Sequence, residues 1–507
     1  MHRIIPLLIA STLSYASAVS SHEMQSHGGP ENVADVGEVT FPTSCAPKVE
    51  RDFERAVALL HSFAYTASEK AFGDVTAADP SCAMAHWGIA MSNFHELWSP
   101  PSQVELAKGE AAVKQALTLP VRTERERLFI AAIAAYYHNA ILIPPAARAK
   151  AYEAAMAAAA KRFPADVETQ VFYSLSLIGT APPEDKSYAN QRRAGAILEP
   201  IYRDLPNHPG LAHYIIHAYD SVELAPRALA AARAYSQIAP SVPHALHMPS
   251  HIFVRMGLWE EAIASNMAAR AAAQSQDDVG EELHAMDYLI YAYLQSDKRP
   301  DAEDLVRSLS LLDDEFKREY TATVMPVRLA MEGHQWDVAL GLRPHPASSP
   351  EVSAIVYWAR AVGHARAGNA QAAYLDIARL DACREQLITA GSTYWVNQVE
   401  ILTKEAKAWQ LAAQSHYDPA IDMLRAAADQ EDAIEKLSMT PGPVIPAREQ
   451  LGDLFMATQR PREALEAYRA ALAAAPGRRN ALIGAAKAAE AIGDRRTANQ
   501  MRALLPK

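Results

Sequence analysis

The chain has 507 residues, half of them hydrophobic, and a formal net charge of -11 at pH 7, so it can bury a large core without metals or many disulfides to hold it together. An acidic chain lacks the basic face that displaces counterions from phosphates, which excludes nucleic acid as the expected partner. Abundant alanine, with 32 prolines against 21 glycines and no alternating β-branched runs, favours helices joined by short stops.

At the start, His2 and Arg3 precede an apolar run over residues 4–13 and the small-x-small site Ala16, Ser17, Ala18. This is the order of a cleaved signal peptide. Residues 1–18 are therefore expected to be removed on export to the periplasm or the medium. The run is shorter than the roughly 20 residues a spanning helix needs, and no later segment is apolar enough to cross a bilayer, so no membrane span is expected. Residues 19–48 contain His22, His27, Gly28, Gly29 and Pro30 without apolar periodicity and read as a flexible leader.

Of the three cysteines, Cys45 and Cys82 each precede a helix in consecutive repeats. One bridge between them suits an oxidising compartment, the alternative being two buried free thiols. Cys383 is left unpaired.

From about Val49 onward, apolar residues recur at helical spacing in segments ended by a proline or a short polar turn. Near the C-terminus Leu451, Gly452, Phe455, Ala464, Tyr468, Ala471 and Pro476 fall at the spacing of the tetratricopeptide repeat, which this chain resembles. Tyr65, Phe72, Asp79 and Pro80 fit a first repeat, Gly368 with Ala373 a later one, and Gly493 with Ala498 the last. The resemblance implies an all-α, right-handed α-solenoid of tetratricopeptide-like helix-turn-helix repeats. An N-terminal array over 49–343 and a C-terminal array over 351–507 are expected, divided by the segment 344–350. In this family, stacked repeats leave a concave groove lined by first helices, where ligands are bound.

Two central frames are set by Pro206 and Pro240, followed by Gly257, Trp259 and Ala262; a third, lengthened through 274–280, is set by Tyr293 and Ala302. The resemblance divides each first helix into inward and groove positions. Inward fall Ala212, Ile215, Ile216 and Tyr219, then Leu246, Pro249, Ser250 and Phe253, then Met286, Leu289, Ile290 and Tyr293. The groove positions include His213, His217 and Asp220, then His244, His247 and His251, then His284, Asp287 and Tyr291. Six of the twelve groove positions in these repeats are histidine, whereas a chain with 18 histidines in 507 residues would place fewer than one there.

The pairs His213/His217 and His247/His251 are spaced i, i+4, which sets both rings on one helical face. Neighbouring helix axes lie about 8 to 10 Å apart, so four such rings can converge on one or two ions. The expected cofactor is a transition metal ion, zinc or copper before iron. His213, His217, His247 and His251 are the leading ligands, with Asp287, His284, His244 and Asp220 as further ligands or as carboxylates that orient them. Binding is expected to weaken below the imidazole pKa of about 6.5. Pro249 should bend the helix between His247 and His251.

His86, His95, Glu96 and His61 suggest a second polar cluster, with His86 packed between helices. No G-x-S-x-G elbow, G-x-x-x-x-G-K-S/T phosphate loop or H-E-x-x-H zinc-protease helix occurs in the sequence. Three functions remain open: a metal-binding protein, with a metal-dependent enzyme as one form of it; a metal-free scaffold holding a peptide or small molecule in its groove; and a metal storage or delivery protein.

Overall fold

The computed structural model describes residues 35–97, 100–437 and 439–506. The signal-peptide reading and the leader as far as residue 34 lie outside the described residues. Every regular element among the described residues is a helix. Successive helices pack on one another through short turns: Glu50–His61 on Tyr65–Ala78, Trp259–Ser275 on Val279–Gln295, Ala447–Ala457 on Pro461–Ala474. The fold is an all-α solenoid of helix-turn-helix repeats. No helix among the described residues is long and apolar enough to cross a membrane.

The repeats close because small residues on one helix receive aromatic residues from the next. A Cβ on Gly452 would lie 2.6 Å from the Tyr468 ring, so only glycine admits that contact. Turn chemistry is equally local. Gly257 ends its helix at φ +69, and a Cβ there would meet the Pro476 carbonyl at 2.7 Å; beside it Trp259 Nε1 donates to the Gly477 carbonyl at 3.2 Å. The central and C-terminal repeats therefore touch through their turns.

One apolar core runs from Val36 to Met325 and a second from Val324 to Ala498. Adjacent residues of the helix Tyr320–Glu332 belong to opposite cores, which makes that helix the seam. Arg478 ties across it. Fully buried, its guanidinium donates to Glu449 at 2.8 Å and to Glu332 at 3.0 Å, and it reaches the Tyr291 hydroxyl at 3.3 Å.

Cys45 and Cys82 form a disulfide, and Cys383 is free and buried. The leader departs from expectation from its described part onward: Val36 and Phe41 are buried. Phe41 packs among Phe53, Trp87 and Phe129, and Arg125 lies over its ring. These partners are distant in sequence, so the segment shows no apolar period of its own even though it is part of the core.

Candidate metal centre

Three stacked first helices carry the histidines. His213 and His217 lie on Pro209–Ala218, which starts with a proline in its first turn and the His208 ring accepting from Leu211 N–H. His284 lies on Val279–Gln295, capped by Asp278. Between them Pro249 does more than bend its helix. It divides the repeat into Pro243–His247 and Pro249–Arg255, joined at Met248, which keeps helical backbone angles. His247 and His251 thus sit on either side of a break and still converge.

The six rings form two groups of three, His213/His217/His244 and His247/His251/His284, and within each group the ligating nitrogens lie within 4.8 Å of one another. The groups adjoin: the His217 and His251 ring centroids are 5.9 Å apart, and the His244 and His284 rings are stacked at 6.1 Å. All six residues are buried. The expectation that these side chains face an open groove is therefore corrected. Residues 435–437, from beyond the seam helix, reach across to Asp220 and Arg255, while Phe63 from the first repeat packs on His213, His217 and His244. Leu246 and Tyr293, placed inward by the repeat frame, are only half-buried.

Hydrogen bonds from behind fix three of the ring tautomers. His213 Nδ1–H donates to the His61 carbonyl at 2.6 Å, leaving a lone pair on Nε2. Asn266 spends its amide N–H on the Ala262 carbonyl at 2.7 Å, which turns its oxygen to receive His247 Nδ1–H at 2.6 Å. His251 Nδ1–H donates to the Asp220 carboxylate at 3.0 Å. The Nε2 atoms of His247 and His251 then face each other at 3.0 Å, each with a lone pair and neither with a hydrogen to give. The Nε2 atoms of His213 and His217 are sealed from solvent without a hydrogen-bond partner. Glu281 sits 3.3 Å from His244 Nδ1 and plays the orienting part for that ring.

Electrostatics keep five of the six rings neutral. Burial, reinforced by the neighbouring imidazoles, holds His213, His217, His247 and His284 well below the ordinary value. Burial also pushes His251 down to about 4, against the opposing pull of Asp220. Burial raises Asp220 in turn, but Lys436 and Arg255 outweigh it and hold the carboxylate well below its usual range. Neutral imidazoles with Nε2 lone pairs turned toward a common space are what metal coordination requires. Two nitrogens about 2.0 to 2.1 Å from one ion stand roughly 2.8 to 3.4 Å apart at angles between 90° and the tetrahedral value, which brackets the His247–His251 separation.

Asp220 and Asp287 belong to neither triad. Asp220 is the carboxylate behind His251, bonded also to Arg255 at 2.8 Å and Lys436 at 3.1 Å. Asp287 is buried 3.7 Å from Arg328, and burial raises it to about 6. The second polar cluster does not assemble as expected. His61 instead joins His208 on the Glu168 carboxylate, each at 2.8 Å; His95 packs against Tyr65 with the two rings tilted and His86 is half-buried. Sequence reasoning missed Asn266, Glu281, Lys436 and the carbonyl of His61. Asn266 had a signal, since it is a polar residue in phase with the buried Ala262, Ala269 and Ala273 of its helix.

No family model and no curated protein matches this chain. Among solved structures, one with the human IFIT1 dimer with PPP-AAAA aligns at 13% identity and TM-score 0.40, over 83% of this chain and 90% of the other. The APC/C hetero-tetramer Cut9-Hcn1 aligns at 12% identity and TM-score 0.37, over 90% and 78%. The fold assignment rests on the helix pairs themselves and takes nothing further from likenesses this remote.

Proposed function

We propose that this chain is a metalloprotein in which two buried histidine triads hold a pair of transition-metal ions inside a helical-repeat scaffold. The observation that carries the reading is the pair of Nε2 lone pairs of His247 and His251 facing each other at 3.0 Å, with both rings locked from behind. Two facing acceptors repel unless a cation lies between them. A shared proton is disfavoured because burial lowers the pKa of both rings, which supports a metal ion at that position. Six imidazoles without a carboxylate in either triad suit zinc and copper better than iron. Three protein ligands per ion leave a coordination position open, as catalytic zinc sites do and closed four-ligand sites do not. A reaction at the metals is therefore favoured over storage or delivery. The peptide-groove reading is weakened because residues 435–437 lie across the histidine-bearing face.

Protein purified without a histidine tag and reconstituted separately with zinc, copper and iron should retain two equivalents of zinc or copper after dialysis. His217→Ala and His251→Ala should each remove one of them. Retention of no ion by the wild-type chain overturns the reading.

The disulfide is consistent with an oxidising compartment. Export through residues 1–18 follows as part of the same proposal, tested by mass spectrometry of the protein outside the cytoplasm. Intact residues 1–18 in that fraction would count against it.

A further inference from the structure

Behind the first triad three helices meet in one buried polar knot. Glu168, on the helix Val167–Gly179, accepts from His61 Nε2–H through one carboxylate oxygen and from His208 Nε2–H through the other, each at 2.8 Å. All three residues are buried. His61 is the last residue of the helix Glu50–His61, and His208 caps the helix Pro209–Ala218, which carries His213 and His217. The carboxylate therefore ties the start of the ligand helix to the end of a helix from the first repeat.

The hydrogens of the knot are fixed by its acceptors. His208 Nδ1 accepts from Leu211 N–H at 3.3 Å, so the hydrogen of that ring lies on Nε2 and goes to Glu168. His61 gives its hydrogen to the other oxygen, and its Nδ1 accepts from the Tyr214 hydroxyl at 3.0 Å. Burial works against the charge on Glu168, but the two imidazoles outweigh it and hold the carboxylate well below its usual range. The trio lies close enough together to hold an ion, yet a neutral His208 that accepts from Leu211 has no lone pair on Nε2 to offer one.

What the knot places is a carbonyl. Ser62, Phe63 and Ala64 N–H donate to Ala58, Leu59 and Leu60, so the His61 oxygen at the helix end is left for a partner outside its own helix. It receives His213 Nδ1–H at 2.6 Å, which keeps the lone pair of that ring on Nε2. The two helices approach closely enough only over a bare backbone: a Cβ on Gly210 would lie 2.7 Å from His61 Nδ1. A buried carboxylate is a costly filler where an apolar side chain would pack as well, so position is what Glu168 contributes.

We infer that Glu168 is a positioning residue of the metal centre: by gripping His61 and His208 together it fixes the His61 carbonyl against His213 and so sets the geometry of the first triad. The inference rests on the metal reading for its effect on an ion, and on the hydrogen bonds alone for its effect on the His213 tautomer. The second triad, oriented by Asn266 and Asp220, is held independently of it.

Glu168→Leu leaves two buried ring N–H groups without an acceptor. Glu168→Gln keeps every bond: its oxygen takes His208 Nε2–H, and its amide N–H goes to His61, whose own hydrogen moves to Nδ1 and the Tyr214 oxygen. Each triad is read in a full chain where the other is disabled, the first in His251→Ala and the second in His217→Ala, by competition for copper with a chromophoric chelator. Glu168→Leu should weaken the first triad by about 10-fold or more and leave the second unchanged, and Glu168→Gln should restore the first. In the metal-free chain, nitrogen NMR should find the His213 hydrogen on Nδ1, and Glu168→Leu should spread it over both ring nitrogens. Circular dichroism checks the fold of each variant; should Glu168→Leu not fold, Gly210→Ala, which presses on His61 from the ligand helix, takes its place with the same expected results. Equal loss at both triads, or a first triad and a His213 tautomer both unchanged in the folded variant, overturns the assignment even if wild type retains both ions. A wild-type chain that retains no copper, but whose His213 tautomer is lost with Glu168→Leu, overturns the metal centre and leaves the positioning role standing.

Discussion

The Nε2 atoms of His247 and His251 meet at 3.0 Å across a helix break, and each ring is held from behind by a different kind of acceptor: the Asn266 amide oxygen for His247, the Asp220 carboxylate for His251. The neutral amide leaves its imidazole less basic than the carboxylate does, so the two rings would be unequal ligands to an ion between them.

Asn266→Leu should expose that dependence. The substitution removes the acceptor that fixes the His247 tautomer but touches no ligand. Metal affinity of the second triad is expected to fall about 10- to 100-fold, read by competition with a chromophoric chelator, while the first triad keeps its ion. Equal loss at both triads, or none, would show that Asn266 does not orient His247.

The helical pairing and the histidine pairs were legible because both are local. Gly452 with Tyr468 and the i, i+4 spacing of His213 with His217 lie within one repeat, where a period of 3.6 suffices to read them. Burial of the cluster was not legible, since it is made by distant parts of the chain. The His61 carbonyl that locks His213 is 152 residues away in sequence, and Lys436, which meets Asp220, is 216 away. Neither Glu435 nor Lys436 lies in a helix, so no periodicity marks them. The packed leader escaped for the same reason, with Phe41 paired to Trp87 and Phe129.

The bridge between Cys45 and Cys82 joins residues 37 apart, pins that leader to the second repeat, and contributes about 4 kcal/mol by the chain-entropy estimate. Cys45→Ser with Cys82→Ser should lower the denaturant midpoint accordingly. Peptide mapping of the native chain without reductant should recover Cys383 alone as a free thiol. Three free thiols would remove the bridge.

Arg478 is a buried cation between Glu332 and Glu449. Arg478→Met would leave two buried carboxylates without their partner, and stability should fall by about 3 to 5 kcal/mol. Adding Glu449→Gln should recover part of that loss, because the amide does not carry the uncompensated charge. If the single substitution costs less than about 1 kcal/mol, Arg478 does not hold the two cores together.

Acid should act on the centre later than free imidazole chemistry predicts. Burial lowers the folded-state pKa of His213, His217, His247 and His284 well below 6.5 and that of His251 to about 4. In the unfolded chain the same rings titrate near 6.5. Below that pH the unfolded state binds protons that the folded state refuses, so the stabilisation is fully present above about pH 6.5 and is lost as pH falls toward the folded values. The metal-free chain should therefore lose stability steadily on acidification from pH 6.5. Metal release is a separate event. Coordinated nitrogens resist protonation at least as strongly as buried neutral ones, so the ions should stay bound through pH 6.5 and leave closer to pH 4. Equilibrium denaturation of the metal-free chain and metal content after dialysis, both followed across pH 7 to 4, measure the two events. Release centred on pH 6.5 would mean that the rings titrate as exposed groove residues and that their burial does not govern the centre.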